Sequence, residues 1–217
     1  MLLESMSMKF TYMQTPLNRY TFKNDRIRLW VEENSQEPVL NLFAGETPLA
    51  LCEIRNDIRE EMPAEFHMDA LEFVKQWNGE PFGTVLLDPP YSYRKSMEMY
   101  EGKVMSPFNA LKNAIPRILQ QEGTVITFGY HSVSMGEKRG FEQEHLLVMS
   151  HGGAIHDTLV IVERQQLNSS GKYKKCHRFS LSNMAVWQGR TYFGRAQIIS
   201  VFDSVQESMF GINHIGS

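Results

Sequence analysis

The chain has 217 residues, enough for one domain with a full core, and 42% hydrophobic with 22% charged residues excludes a disordered polymer. A net charge of −3 argues mildly against a protein that coats nucleic acid, and no window supplies the roughly 18 apolar residues of a membrane span. Two cysteines, Cys52 and Cys176, are too few for a disulfide framework or a Cys-based zinc site.

The N-terminus, MLLESMSMKF, lacks the cationic start and apolar core of a secretion signal, so a cytoplasmic location is expected. VLNLF (39–43) reads as a strand ending at Ala44-Gly45, and ALCEIRND (50–57) as a second strand ending in acid, with Cys52 in the core. EFHMDA (65–70) reads as a short third strand, followed by helical spacing at Leu71, Val74 and Trp77. TVLLD (84–88) is a strand buried on both faces, bounded by Gly83 and prolines. Apolar residues at 108, 111, 115, 118 and 119 predict an amphipathic helix closed by Gly123, which Pro116 kinks or restarts. TVITFGY is the next buried strand, and HLLVMS with DTLVIVER form an antiparallel pair around HGGAIH.

Strands alternating with helices predict an α/β fold with a mostly parallel sheet and a terminal antiparallel hairpin. That domain covers 1–164. After the polar NSSGKYKK loop, RFSLSNMAVW and TYFGRAQIISVF make 165–217 a β-rich appendage. Ligands of open α/β sheets bind at the carboxyl ends of the strands. Gly45, Asp57, Asp69 and Asp88 stand at four such ends and are expected to converge on one crevice.

Asp88-Pro89-Pro90-Tyr91 suits one chemistry in particular. The exocyclic amine of a base is not basic, because its lone pair is delocalised into the ring. Two acceptors holding its hydrogens, the Asp88 carboxylate and the Pro89 carbonyl, would pyramidalise it and aim the lone pair. The two prolines stiffen this platform, and Tyr91 offers a ring on which the base stacks.

With DPPY after a buried strand, and an FxG turn on an earlier one, the chain resembles the S-adenosylmethionine-dependent amino-methyltransferases over about residues 38–164. These methylate adenine N6, cytosine N4, guanine N2 or, in one branch, a protein glutamine. The resemblance implies a Rossmann-like class I methyltransferase sheet and S-adenosylmethionine as cofactor. Phe43-Ala44-Gly45 would wrap its methionine part, Asp57 (or Glu53 in its place) its ribose, and Asp69 its adenine amino group. The segment TPLNRYTFKND (15–25) lies where such enzymes close over the cofactor, with no residue assigned. The chain departs from the family where Glu46-Thr47-Pro48 follows Gly45, because the interval to Asp57 is too short for a helix and the first crossover helix is expected to be missing.

Tyr93, Arg94, Lys95 and His131 are candidate substrate contacts. HGGAIHD offers His151, His156 and Asp157 across a turn, but their spacing alone is a weak metal signal and the turn explains the glycines, so no metal is expected. The expected activity is methyl transfer to a base amine of DNA or RNA, with a partner protein as one source of sequence choice. A protein glutamine, a small amine, or cofactor binding without turnover are the alternatives.

Overall fold

The computed structural model describes residues 8–16, 18–89, 107–153 and 156–166; Pro90, Tyr91, Tyr93, Arg94, Lys95 and all of the appendage beyond Gln166 lie outside them. Chain order among the described residues is β1 (Lys9–Gln14), α1 (Asp25–Glu33), β2 (Val39–Asn41), β3 (Glu53–Arg55), α2 (Ala70–Gln76), β4 (Phe82–Leu87), α3 (Phe108–Ala114), β5 (Leu119–Gly129), β6 (Phe141–Ser150) and β7 (Thr158–Gln165). The strands form one seven-stranded sheet in the order β1-β6-β7-β5-β4-β2-β3. Every pairing is parallel except those of β7, which runs antiparallel to both β5 and β6. This is the expected α/β, Rossmann-like sheet with its antiparallel hairpin.

An interior strand, β4, explains the two-layered core. All six residues of β4 are buried, and successive side chains point to opposite faces. Val85 and Leu87 join Leu40 and Val125 under α2 and α3, whereas Leu86 joins Val39, Ile126 and Val160 under Ile27, Trp30 and Val31 of α1. Residues 42–52 connect β2 to β3 without a helix, so the first crossover helix is absent as expected.

Three expectations are corrected. EFHMDA forms no strand; only Phe66 makes an isolated parallel bridge, to Asn56. Asp69 is instead the N-cap of α2, which draws the chain out of the sheet. The helix from 108 stops at Ala114, and Pro116, lacking an N–H, sits in a short 3-10 turn over Ile115–Arg117. Leu119 already belongs to β5, so Gly123 lies inside a strand, beside Glu122 at φ 57°. Cys52 is exposed, just ahead of β3. No helix among the described residues is long and apolar enough to cross a membrane.

β1 and α1 were not foreseen. His145 of β6 ties them together: its ring nitrogens meet Thr11 Oγ1 of β1 at 2.8 Å and Asn34 Oδ1, just past α1, at 3.2 Å, with the Trp30 ring 5.0 Å away. Burial, with a smaller push from Lys9, holds the imidazole below its ordinary value of 6.5. The unfolded chain therefore takes up the proton first on acidification, and stability is full above that value and declines as pH falls toward the folded one. Thermal unfolding between about pH 7.5 and pH 5.5 should show a larger loss of Tm in the wild type than in His145→Gln. Equal losses would remove His145 as the responsible group.

Candidate active site

Because β2 and β4 are parallel neighbours, their carboxyl ends open on the same edge of the sheet. Phe43, Ala44 and Gly45 beyond β2, and Asp88 beyond β4, line one small, open cleft. The opposite wall is the segment Arg19, Tyr20, Thr21 and Phe22, with Arg59 completing it. Gly45 adopts φ +59°, and a Cβ there would come within 3.3 Å of the Tyr20 ring. Glycine thus keeps both the turn and the narrow gap.

The end of β3 satisfies the backbone of the turn. The Arg55 guanidinium, buried, donates through Nη2 to the carbonyls of Ala44 at 3.1 Å and Gly45 at 2.9 Å, and through Nη1 to the Pro63 carbonyl. The Ala44 N–H donates to the Asn56 carbonyl at 3.0 Å, and the Gly45 N–H to Asp57 Oδ2 at 2.9 Å. The turn is therefore held from behind by three consecutive residues. Buried Glu53 accepts from Asn41 and the Leu49 N–H and stands 3.6 Å from Arg55 Nε; burial raises its pKa above the ordinary value.

Asp57 was expected to meet ribose hydroxyls, and its geometry is different. Only 2% exposed, it backs the turn, accepting from Gly45 through Oδ2 and from the Arg59 N–H and side chain through both oxygens. An acid at a strand end faces the cleft only if nothing behind it claims the carboxylate; here the Gly45 N–H and Arg59 do so. The residue that reaches the cleft is Arg59, missed in the sequence, whose guanidinium lies 5.6 Å from the Tyr20 ring centre, with that of Arg19 at 5.5 Å. An Arg two residues past a strand-end acid is the signal that could have found it.

Asp69 does not line the cleft. Its Oδ1 accepts from the Leu71 and Glu72 N–H groups at 3.0 and 3.3 Å, so it satisfies orphan donors at the start of α2. Asp69→Ala should cost about 1 kcal/mol, read as a lower midpoint in urea unfolding, and Asp69→Asn should restore most of it because Asn caps equally well. An unchanged midpoint in the Ala variant would contradict the capping role.

Asp88 is half-buried, and Thr21 Oγ1 donates to its Oδ2 at 2.5 Å. Pro89 follows, also half-buried. His131 is exposed on the loop leaving β5. That loop is anchored further on, where fully buried Glu163 of β7 accepts from the Met135 and Gly136 N–H groups at 2.7 and 2.8 Å. His151 bonds the Thr15 carbonyl and Thr158 Oγ1, while His156 packs against the Tyr130 ring. Among the described residues no group of three or more His, Cys, Asp or Glu is arranged to hold a metal ion.

No family model and no curated protein matches the chain. Similar solved structures include the N-methyltransferase NodS from Bradyrhizobium japonicum WM9, at 12% identity, over 70% of this chain and 100% of that one, with a TM-score of 0.47. TrmN from Thermus thermophilus is 16% identical over 64% of this chain and 47% of its own, with a TM-score of 0.43. The 1,6-didemethyltoxoflavin-N1-methyltransferase of Burkholderia thailandensis, with S-adenosylhomocysteine bound, is 12% identical over 70% and 93%, with a TM-score of 0.43. Likenesses this distant carry nothing over to the activity of this chain.

Proposed function

We propose that the protein is an S-adenosylmethionine-dependent methyltransferase whose acceptor is an exocyclic amine of a DNA or RNA base. The observation that carries this reading is that the FAG turn and Asp88, at the carboxyl ends of adjacent parallel strands, line one cleft. On this reading the methionine end of the cofactor lies at the turn, where the Arg19 guanidinium on the facing wall would offer donors to its carboxylate. Neither Asp57 nor Glu53 suits the ribose, since both are spent inside the protein.

When bound, S-adenosylmethionine supplies an electrophilic methyl carbon on a sulfonium. Asp88 and the Pro89 carbonyl accept the two hydrogens of the acceptor amine and turn its lone pair outward. Transfer of that methyl would leave S-adenosylhomocysteine and a cationic nitrogen, whose surplus proton would pass to the Asp88 carboxylate that holds it and from there to solvent. Tyr91 and Tyr93 would stack on the base, Arg94 and Lys95 would neutralise a backbone phosphate, and His131 would contact the substrate. A duplex would have to surrender the base by flipping, and a partner protein is one source of sequence choice in so short a chain.

The test is transfer of a labelled methyl group from S-adenosylmethionine to separate pools of DNA, total RNA and protein. Label in a nucleic-acid pool supports the reading. Label confined to protein, which the acidic net charge favours, would replace it with amide methylation. Cofactor binding with no label in any pool would count against both.

A further inference from the structure

We propose that Thr21 is a positioning residue for Asp88, aiming the catalytic carboxylate and joining it to the wall of the cofactor cleft. The inference rests on the reading of Asp88 as the residue that holds the acceptor amine. Its direct support is the 2.5 Å contact from Thr21 Oγ1 to Asp88 Oδ2, at the short end of the range for hydroxyl-to-carboxylate bonds. The terminal torsion of an aspartate is broad, with no deep staggered well to orient the carboxylate plane. Pinning Oδ2 fixes that plane and with it the direction of Oδ1. A rigid proline platform would be of little use if the carboxylate on it could rotate.

Thr21 is well placed to impose this. It opens the 3-10 turn Thr21–Lys23 just ahead of α1 and is bracketed by anchored neighbours. On one side Phe22 is 4% exposed and sets its ring edge-on to Phe128 of β5 at 5.7 Å. On the other, the Tyr20 ring lies over Gly45. Farther on, the Asn24 side chain caps α1 by accepting from the Arg26 N–H. The hydroxyl therefore sits on a fixed backbone, and a single peptide separates the residue over the FAG turn from the residue on Asp88.

The experiment compares Thr21→Val, which keeps the shape and removes the donor, with Thr21→Ser, which keeps the donor. The readouts are kcat and KM for labelled methyl transfer into the accepting pool, and S-adenosylhomocysteine affinity by calorimetry. Thr21→Val should lower kcat by about ten- to a hundredfold, with KM and cofactor affinity within about twofold, and Thr21→Ser should recover most of the rate. If Thr21→Val fails to fold, Thr21→Ala against Thr21→Ser reads the same contrast. In an Asp88→Ala background the Thr21 substitutions should have no further effect on rate. Wild-type kcat in Thr21→Val, or a loss confined to KM or cofactor affinity, would overturn the inference. Should Asp88→Ala itself retain full activity, the reading of Asp88 fails, which is a different result from an inactive Asp88→Ala beside an unaffected Thr21→Val.

Discussion

Asp88→Ala should lower kcat for methyl transfer by on the order of a hundred- to a thousandfold while S-adenosylhomocysteine binds as it does to the wild type. In the proposed reaction the carboxylate accepts from the reacting nitrogen, and without it the FAG turn keeps its backing from Arg55, Asn56 and Asp57. Asp88→Asn should fall less, since an amide oxygen still accepts one hydrogen bond. The measurement is single-turnover transfer of labelled methyl with calorimetry on the same samples. Equal rates in wild type and Asp88→Ala would leave the carboxylate without a role in the chemistry.

The second large effect is on stability and falls on Arg55. Its guanidinium is buried, neutralises the buried Glu53 at 3.6 Å, and donates to the carbonyls of Ala44, Gly45 and Pro63. Arg55→Met keeps the volume but strands a buried carboxylate and three carbonyls. Breaking one side of such a pair costs about 3–5 kcal/mol, and for a chain of this size that is a Tm lower by on the order of 10 °C. The FAG turn loses its backing at the same time, so S-adenosylhomocysteine affinity should fall with it. Scanning calorimetry with and without S-adenosylhomocysteine reads both. A Tm within about 1 °C of wild type would show that the turn does not depend on Arg55.

What the sequence made legible follows from where the information lies. TVLL reads as an interior strand because burial on both faces leaves an unbroken apolar run, and α2 reads as a helix because Leu71 and Val74 fall on one buried face. β1 carries no such pattern. Phe10 and Tyr12 are 64% and 61% exposed at the sheet edge, so its two aromatic rings point away from the core and only Met13 packs against it. Its partner β6 lies more than a hundred residues away, as the Thr11–His145 contact spans 134. The polar run Gln120-Gln121-Glu122 before Gly123 imitates a helix terminus, yet the left-handed Glu122 lets the strand continue past it.

The same division applies to the site. That Gly45 and Asp88 line one cleft was legible because a strand end fixes their place in the fold. Asp57 was found, but which way its carboxylate turns depends on the Gly45 N–H, which no motif encodes. Thr21 and Arg59 come to the cleft through tertiary packing around Tyr20 and Phe22, and the sequence marked only the segment that holds Thr21.

The most direct test of the central claim is the chemical identity of the methylated atom. Nucleic acid labelled by the wild-type protein is digested to nucleosides, and the label is assigned by chromatography and mass spectrometry. The account predicts a methyl group on an exocyclic amino nitrogen, absent when Asp88→Ala is used. A methyl group on a ring carbon, a ring nitrogen or a ribose oxygen would contradict it, because two acceptors at Asp88 and Pro89 have no amine hydrogens to hold there.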